Sequence, residues 1–382
     1  SHQIADTATV TMSNGILDLG ANNETIGTLA GTPTNWWSTR VIDTGMRDAR
    51  RQIAFDQALI DARGSGLIPD TIRFLRFPPS ALVGRHQALS REIKREHCRA
   101  HGIGIARRIT GGGAIYFDPG QLGWELVFHR ATLDIVALAD LAREICEAAA
   151  AGLSRLGDAA KYRPRNDVEA EGRTLSGTGG FFDGDTLFYQ GTVLIDMNPA
   201  DMVAALNVPE AKLAKRALDS AVQRVVTLRE LLGAVPAIEA VQEALLAGFA
   251  ERLGIAPARG AITAEEEALA ARLHDEEIGT DDFVMQIDDP GVHADVLSGS
   301  HTGAGGTITV YMRLAGARHE RIREALITGD FFVTPPRTVF DLEAALRNVA
   351  LADAGDTIER FFARTRTGML SVTPADFRAA VE

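Results

Sequence analysis

Apolar residues recur at three- and four-residue spacing over 47–63, where Ile53, Ala54, Ala58, Leu59 and Ala62 share one face. The spacing predicts an amphipathic helix stopped by Gly64. Alternation then takes over: Ile72, Phe74 and the aliphatic part of Arg76 against Arg73 and Leu75 predict a strand over 71–77, ended by Pro78-Pro79. Further strands are expected at 81–84, 103–108, 114–117 and 122–128, with a charged helix at 91–100 between the first two. An alanine-rich helix is expected over 133–156. Strands at 167–170, 173–176 and 186–195 follow, joined by the turns Glu171-Gly172 and Phe182-Asp183-Gly184-Asp185. Helices occupy 199–253, Gly254 to Gly260 reads as a linker, and a strand at 307–313 precedes helices at 318–327 and 340–349. Hairpins interrupting a strand–helix alternation predict an α+β fold with a mixed or antiparallel sheet and flanking helices, plus a small C-terminal α/β accessory domain. The expected division is an N-terminal arm over 1–45, a main domain over 46–257 and the accessory domain over 261–382.

Composition narrows the class. Hydrophobic residues are 46% and charged residues 24% of 382, an ordinary globular mix. The 39 basic and 51 acidic residues leave a net charge of −12, which argues against nucleic acid as a partner held by bulk charge. Two cysteines, Cys98 and Cys146, give neither a disulfide framework nor a Cys-based zinc site. No apolar run is long enough to cross a membrane and no secretory leader pattern is present, so no membrane partner and a cytoplasmic location are expected. Cys98 in a charged helix and Cys146 in the alanine-rich one read as structural residues. His97 and His101 read as solvated side chains, and Trp124 as sheet core. Trp36-Trp37 reads as an anchor for the arm, and Glu265-Glu266-Glu267 as an exposed first helical turn after the cap Thr263.

The segment richest in candidate chemistry is Arg107-Arg108-Ile109-Thr110-Gly111-Gly112-Gly113-Ala114. Three consecutive glycines between strands cost backbone entropy, so either a crossover or a ligand must require close main-chain approach or positive φ there. In the functional reading the bare backbone packs along a ligand and offers N–H donors. Arg107 and Arg108 point to opposite faces if they lie on a strand, so at most one aims into the site. The second informative stretch runs from Tyr162 through Arg165-Asn166-Asp167 and Arg173-Thr174-Leu175-Ser176-Gly177 to Gly191-Thr192-Val193-Leu194.

Together these segments resemble the lipoate-protein ligase A family of the biotin/lipoate ligase superfamily. The resemblance extends to Phe55-Asp56-Gln57-Ala58-Leu59, Gly84, Lys212-Leu213-Ala214-Lys215 and Arg224-Val225-Val226-Thr227-Leu228, in all about residues 47–255. Gly329-Asp330-Phe331-Phe332 resembles the family's C-terminal accessory domain. What the resemblance implies is adenylation of lipoate or octanoate with ATP and Mg2+, then transfer of the acyl group to a lysine of a lipoyl-domain acceptor protein. It also implies that the accessory domain shifts during the cycle. Carried over by motif, Arg107, Arg108, Gly111, Gly112, Gly113, Ser176 and Gly177 would meet the lipoyl group. Asn166, Asp167, Gly191 and Thr192 would meet the nucleotide, with Asp167 on magnesium. Members carry a lysine immediately before the aliphatic-Ser-Gly of the hairpin, gripping the α-phosphate. This chain has Thr174 there, with Arg173 as the adjacent cation, and a strand places neighbours on opposite faces. The missing lysine leaves two other readings open: a noncatalytic homologue that binds lipoate, lipoyl-AMP or a lipoylated protein, and an ATP-independent acyltransferase.

Overall fold

A computed structural model of the chain describes residues 38–135, 137–157, 159–207, 223–291, 295–316, 320–370 and 372–382. Trp36-Trp37, most of the expected arm and Lys212 to Lys215 lie outside the described residues.

Its centre is an eight-stranded mixed sheet. The strands are β1 (Ser38–Met46), β2 (Thr71–Arg76), β6 (Gln121–His129), β7 (Ala160–Arg163), β8 (Asp167–Ala170), β9 (Arg173–Asp183), β10 (Thr186–Leu194) and β11 (Ala256–Arg259), in the order β11-β1-β2-β6-β10-β9-β8-β7. β1 runs parallel to both β2 and β11, and the other neighbours are antiparallel. The α+β class with a mixed sheet is as expected. Alternation along the strands sends Ile72, Phe74, Trp124, Leu126 and Phe128 to one face, under the helices Leu138–Leu153 and Ile238–Leu253. Those helices cross with their backbones touching: a Cβ on Gly248 would lie 2.3 Å from the Ala148 carbonyl oxygen.

On the other face, Leu75, Val127 and Phe188 meet helix Ala49–Gly64, which Asp48 caps by accepting from Arg50 N. The same face carries a small sheet, β3 (Ser80–Val83) flanked by β4 (Gly104–Arg107) and β5 (Ile115–Phe117).

Five expectations are corrected. Residues 38–46 form an internal strand of the main sheet, not part of an arm. The expected linker contains β11, an edge strand, the position at which Pro257 costs no ladder bond. Beyond it, helix Ala264–Leu273 packs on Ala49–Gly64, so Ala270, Ile278 and Phe283 share that core rather than the C-terminal one. The Glu265–Glu267 turn is not wholly exposed either, because Glu266 is buried against Arg40 on β1.

A separate core holds the C-terminal unit: β12 (Val296–Gly303), β13 (Gly306–Ala315) and β14 (Arg321–Gly329) form one sheet, with helices Thr338–Leu346, Ala354–Arg364 and Pro374–Ala379. β14 is the fifth correction, since most of the expected helix over 318–327 is strand. Ile322 and Ile327, both buried, pair with β13 across a bulge, and that tertiary pairing overrides a helix-favouring composition. The short ribbon of β15 (Phe332–Thr334) and β16 (Gly368–Leu370) reaches toward the main sheet, where Phe182 N donates to Thr334 Oγ1 (2.8 Å).

Candidate active site

Between the main sheet and the small β4-β3-β5 sheet lies a cavity of about 240 Å3. Leu75, Phe77, Leu82, Ile115, Phe117 and Trp124 give it apolar walls, and Gly111, Gly112 and Gly113 run along it. Gly112 has φ +87, a conformation that requires glycine. The loop is held from beneath by Arg108, whose guanidinium donates to the carbonyls of Gly111 (2.9 Å), Gly113 (2.8 Å) and Leu82 (3.2 Å). Burial lowers the Arg108 pKa to about 10, so it stays charged at neutral pH. Gln190 on β10 donates to Thr110 Oγ1 (2.8 Å), tying the loop to the sheet. The Gly112 N–H is not free for an anion: it donates to the carbonyl of Phe331 from the C-terminal unit (3.1 Å).

The hairpin of β8 and β9 supplies another part of the lining. Asp167 stands opposite Gly177, and Thr178 N donates to the Asn166 carbonyl (2.9 Å). Asn166, Asp167, Gly177, Thr178, Gly191 and Thr192 all line the same cavity as the triglycine loop. Arg108, the three glycines, Asn166, Asp167, Gly177, Gly191 and Thr192 are thus brought together.

Four other named residues are absent from the lining. Arg107 spends its guanidinium on the carbonyls of Gly84, Gln87, Val284 and Ile287 (2.8 to 3.1 Å), which fastens the loop after β3 to the helix Asp281–Met285. Ser176 faces away from Gly177 by strand alternation and is fully buried. Arg173 turns to the surface, pairing with Glu230 (2.7 Å) and Glu171 (2.9 Å), even though β8 and β9 do slip register at Val168/Glu169. Thr174 lies just outside the lining, and its hydroxyl accepts a hydrogen bond from Arg163.

That arginine went unassigned in the sequence. Arg163 ends β7 directly opposite Asp167, and one guanidinium donates to Thr174 Oγ1, pairs with Asp167 and lies 3.7 Å from Glu169. The short β7–β8 connection through Pro164, Arg165 and Asn166 was the signal that could have placed it.

A second unassigned group lies on the cavity wall. Asp56 from helix Ala49–Gly64 and Glu125 from β6 line it, and both pair with the fully buried Arg73 (2.6 and 2.9 Å). Two carboxyls face one buried guanidinium. Burial raises the pKa of Asp56 and pushes that of Glu125 well above the usual carboxylate range, with the neighbouring Asp56 charge adding to the rise. Cys146 lies behind the cavity, 3.3 Å from Thr178 Oγ1, and burial pushes its thiol up to about 11. Cys98 sits in a different cluster, with Ala81, Val83 and Tyr116.

A mixed sheet facing a glycine loop across an apolar cavity, with a carboxylate–amide hairpin in the lining, defines a catalytic domain of the biotin/lipoate ligase type. The model of the lipoyl protein ligase A/B catalytic domain matches residues 48–250, more than half of the chain, and the chain belongs to that family. It is 30% identical over 258 residues to the octanoyltransferase LipM of Kyrpidia tusciae, covering 61% of this chain and 94% of that protein. It is 29% identical over 250 residues to lipoate-protein ligase A subunit 1 of Thermoplasma acidophilum, covering 63% and 93%. Among solved structures, the bipartite lipoate protein ligase of T. acidophilum with its E2 lipoyl domain superposes with a TM-score of 0.60 at 26% identity, over 67% of this chain and 99% of that one. LipL1 of P. falciparum, at 16% identity, shares the fold over 86% of this chain and 95% of its own, with a TM-score of 0.67. Among the described residues no helix is long and apolar enough to cross a membrane.

Proposed function

We propose that the protein activates a C8 acyl acid, lipoate or octanoate, with ATP and passes the acyl group to a lysine of a lipoyl-domain acceptor. The observation that carries the reading is one apolar cavity lined both by the triglycine loop and by Asn166, Asp167 and Gly177. The names of the relatives, lipoate-protein ligase and octanoyltransferase, support the acyl class.

In the first step an acyl carboxylate oxygen attacks the α-phosphorus of ATP, the bond to the bridging oxygen breaks, and pyrophosphate leaves. In the second the neutral lysine amine attacks the acyl carbonyl, AMP departs and the amine loses a proton. The apolar walls orient the chain and exclude water, and Arg108 holds the glycine loop in the shape that admits it. Asn166, Asp167, Gly191 and Thr192 hold the nucleotide. Magnesium suits Asp167, since that ion needs one or two carboxylates beside phosphates and water, and it would neutralise phosphate charge there. The guanidinium of Arg163 stands beside Thr174 and takes the part of the absent lysine, the cation nearest Asp167.

Purified protein mixed with octanoate or lipoate, magnesium ATP and a lipoyl domain should yield acyl-AMP and an acceptor heavier by one acyl group in mass spectrometry. Absence of both products with several acceptors overturns the reading.

One observation favours a second reading, transfer from an acyl carrier without ATP: Cys146 lies against cavity-lining Thr178, and several relatives are named octanoyltransferases. A thiol held near 11 is scarcely ionised at neutral pH, which works against it. Replacing Cys146 by Ser decides: ATP-independent transfer lost in the variant supports this route, and transfer unchanged removes it.

A further inference from the structure

Two glycines that face the cavity accommodate part of the C-terminal unit. A Cβ on Gly112 would lie 2.5 Å from Phe332 Cζ, and one on Gly179 would lie 2.4 Å from Phe332 Cε1. The ring is therefore clamped between the glycine loop and β9, and it lines the cavity. Its backbone is fixed on both sides. Gly112 N donates to the Phe331 carbonyl (3.1 Å), and Gly329 N to that of His86 (3.0 Å). Thr334 Oγ1 both accepts from Phe182 N (2.8 Å) and donates to its carbonyl (2.9 Å). Phe331 stacks on the buried His86 at 5.4 Å. A side chain held this firmly against the bare backbone of two other segments acts as a fixed wall.

We propose that Phe332 is a specificity-determining residue of the acyl cavity, so that a residue of the C-terminal unit limits the length and bulk of the chain the main domain accepts. The inference rests on the acyl-binding reading above. With the ring in place, affinity for straight-chain acids should rise about fourfold per buried methylene and then break off where the cavity ends. Without it the break moves to longer chains, and the acid two carbons beyond the wild-type break should gain on the order of tenfold.

The test is calorimetric titration of the full chain with C6 to C14 acids, for the wild type, F332A and the milder F332L, each checked by circular dichroism and Tm. A shifted break in either folded variant bears the inference out. A wild type that binds the series while both variants keep its profile overturns the inference alone, and a wild type that binds none of the acids overturns the acyl reading with it. A second arm uses G179A, whose new methyl meets the ring. If Phe332 is the wall, the affinity lost in G179A is recovered at least tenfold by adding F332L, and an equal loss in both backgrounds refutes it.

Discussion

Replacing Arg163 by Met removes the cation beside Thr174 and keeps most of the side-chain bulk. A unit charge about 4 Å from a developing phosphate charge is worth roughly 4 kcal/mol at an effective dielectric of 20. Two features reduce that figure. The Arg163 side chain is 37% exposed, and Asp167 and Glu169 share its charge. Halving for screening and sharing leaves about 2 kcal/mol, or roughly 30-fold in the rate of acyl-AMP formation. R163K keeps a charge but loses the fork that spans Thr174 and Asp167, so its loss should be smaller, about tenfold. The assay is a single-turnover measurement of acyl-AMP and pyrophosphate with saturating acyl acid and magnesium ATP. Combining R163M with T174K should recover the rate, because a lysine at 174 then supplies the charge from β9. The reasoning is refuted if the wild type forms acyl-AMP and R163M stays within threefold of it.

Two further outcomes test the energetics. R73M strands the Asp56 and Glu125 carboxyls in the core, and at pH 8 it should cost about 3 to 5 kcal/mol in urea unfolding, and less at lower pH because burial favours the neutral form of both carboxyls; a loss under about 1 kcal/mol at pH 8 contradicts the account. Burial holds the Glu343 carboxyl up to about 7 against an ordinary 4.5. The folded chain keeps a proton there that the unfolded chain releases, so this contribution is full below pH 4.5 and is lost as pH rises through 7. E343Q retains an acceptor for Ile327 N and should flatten the fall of Tm between pH 4.5 and 7.5, and an unchanged slope would discount the shift.

Much of the central fold was legible because its strands are patterned by burial on both faces. Ile72 and Phe74 against Arg73 and Leu75, and Trp124 and Leu126 against Glu125 and Val127, carry a period of two that survives without context. What the pattern could not give was anything decided by a distant partner. Residues 256–259 form a strand because β1 offers a free edge, and 321–329 because β13 does. Nothing local in Ala-Pro-Ala-Arg or Arg-Ile-Arg-Glu-Ala-Leu specifies either outcome. The charged cluster at Arg73 was hidden for the same reason: its carboxyls come from 17 and 52 residues along the chain.

The site was legible as a set of segments and less so as a set of roles. Glycine records that something comes close and is silent on what. The triglycine loop does border a cavity, yet a Cβ on Gly111 would lie 2.1 Å from the Phe331 carbonyl oxygen and one on Gly112 would strike Phe332. Part of the motif thus serves the protein's own C-terminal unit. Strand parity separates Arg173, which pairs with Glu171 and Glu230, from Thr174, and it could not point to Arg163, which reaches Thr174 from β7 on the far side of β8. A charge can be supplied to one point from either of the strands that flank β8, whereas the point itself is fixed by the sheet. The Thr at 174 is therefore an argument about one strand, and under the proposed function the chemistry would be set by the cluster of Arg163, Asp167 and Thr174 together.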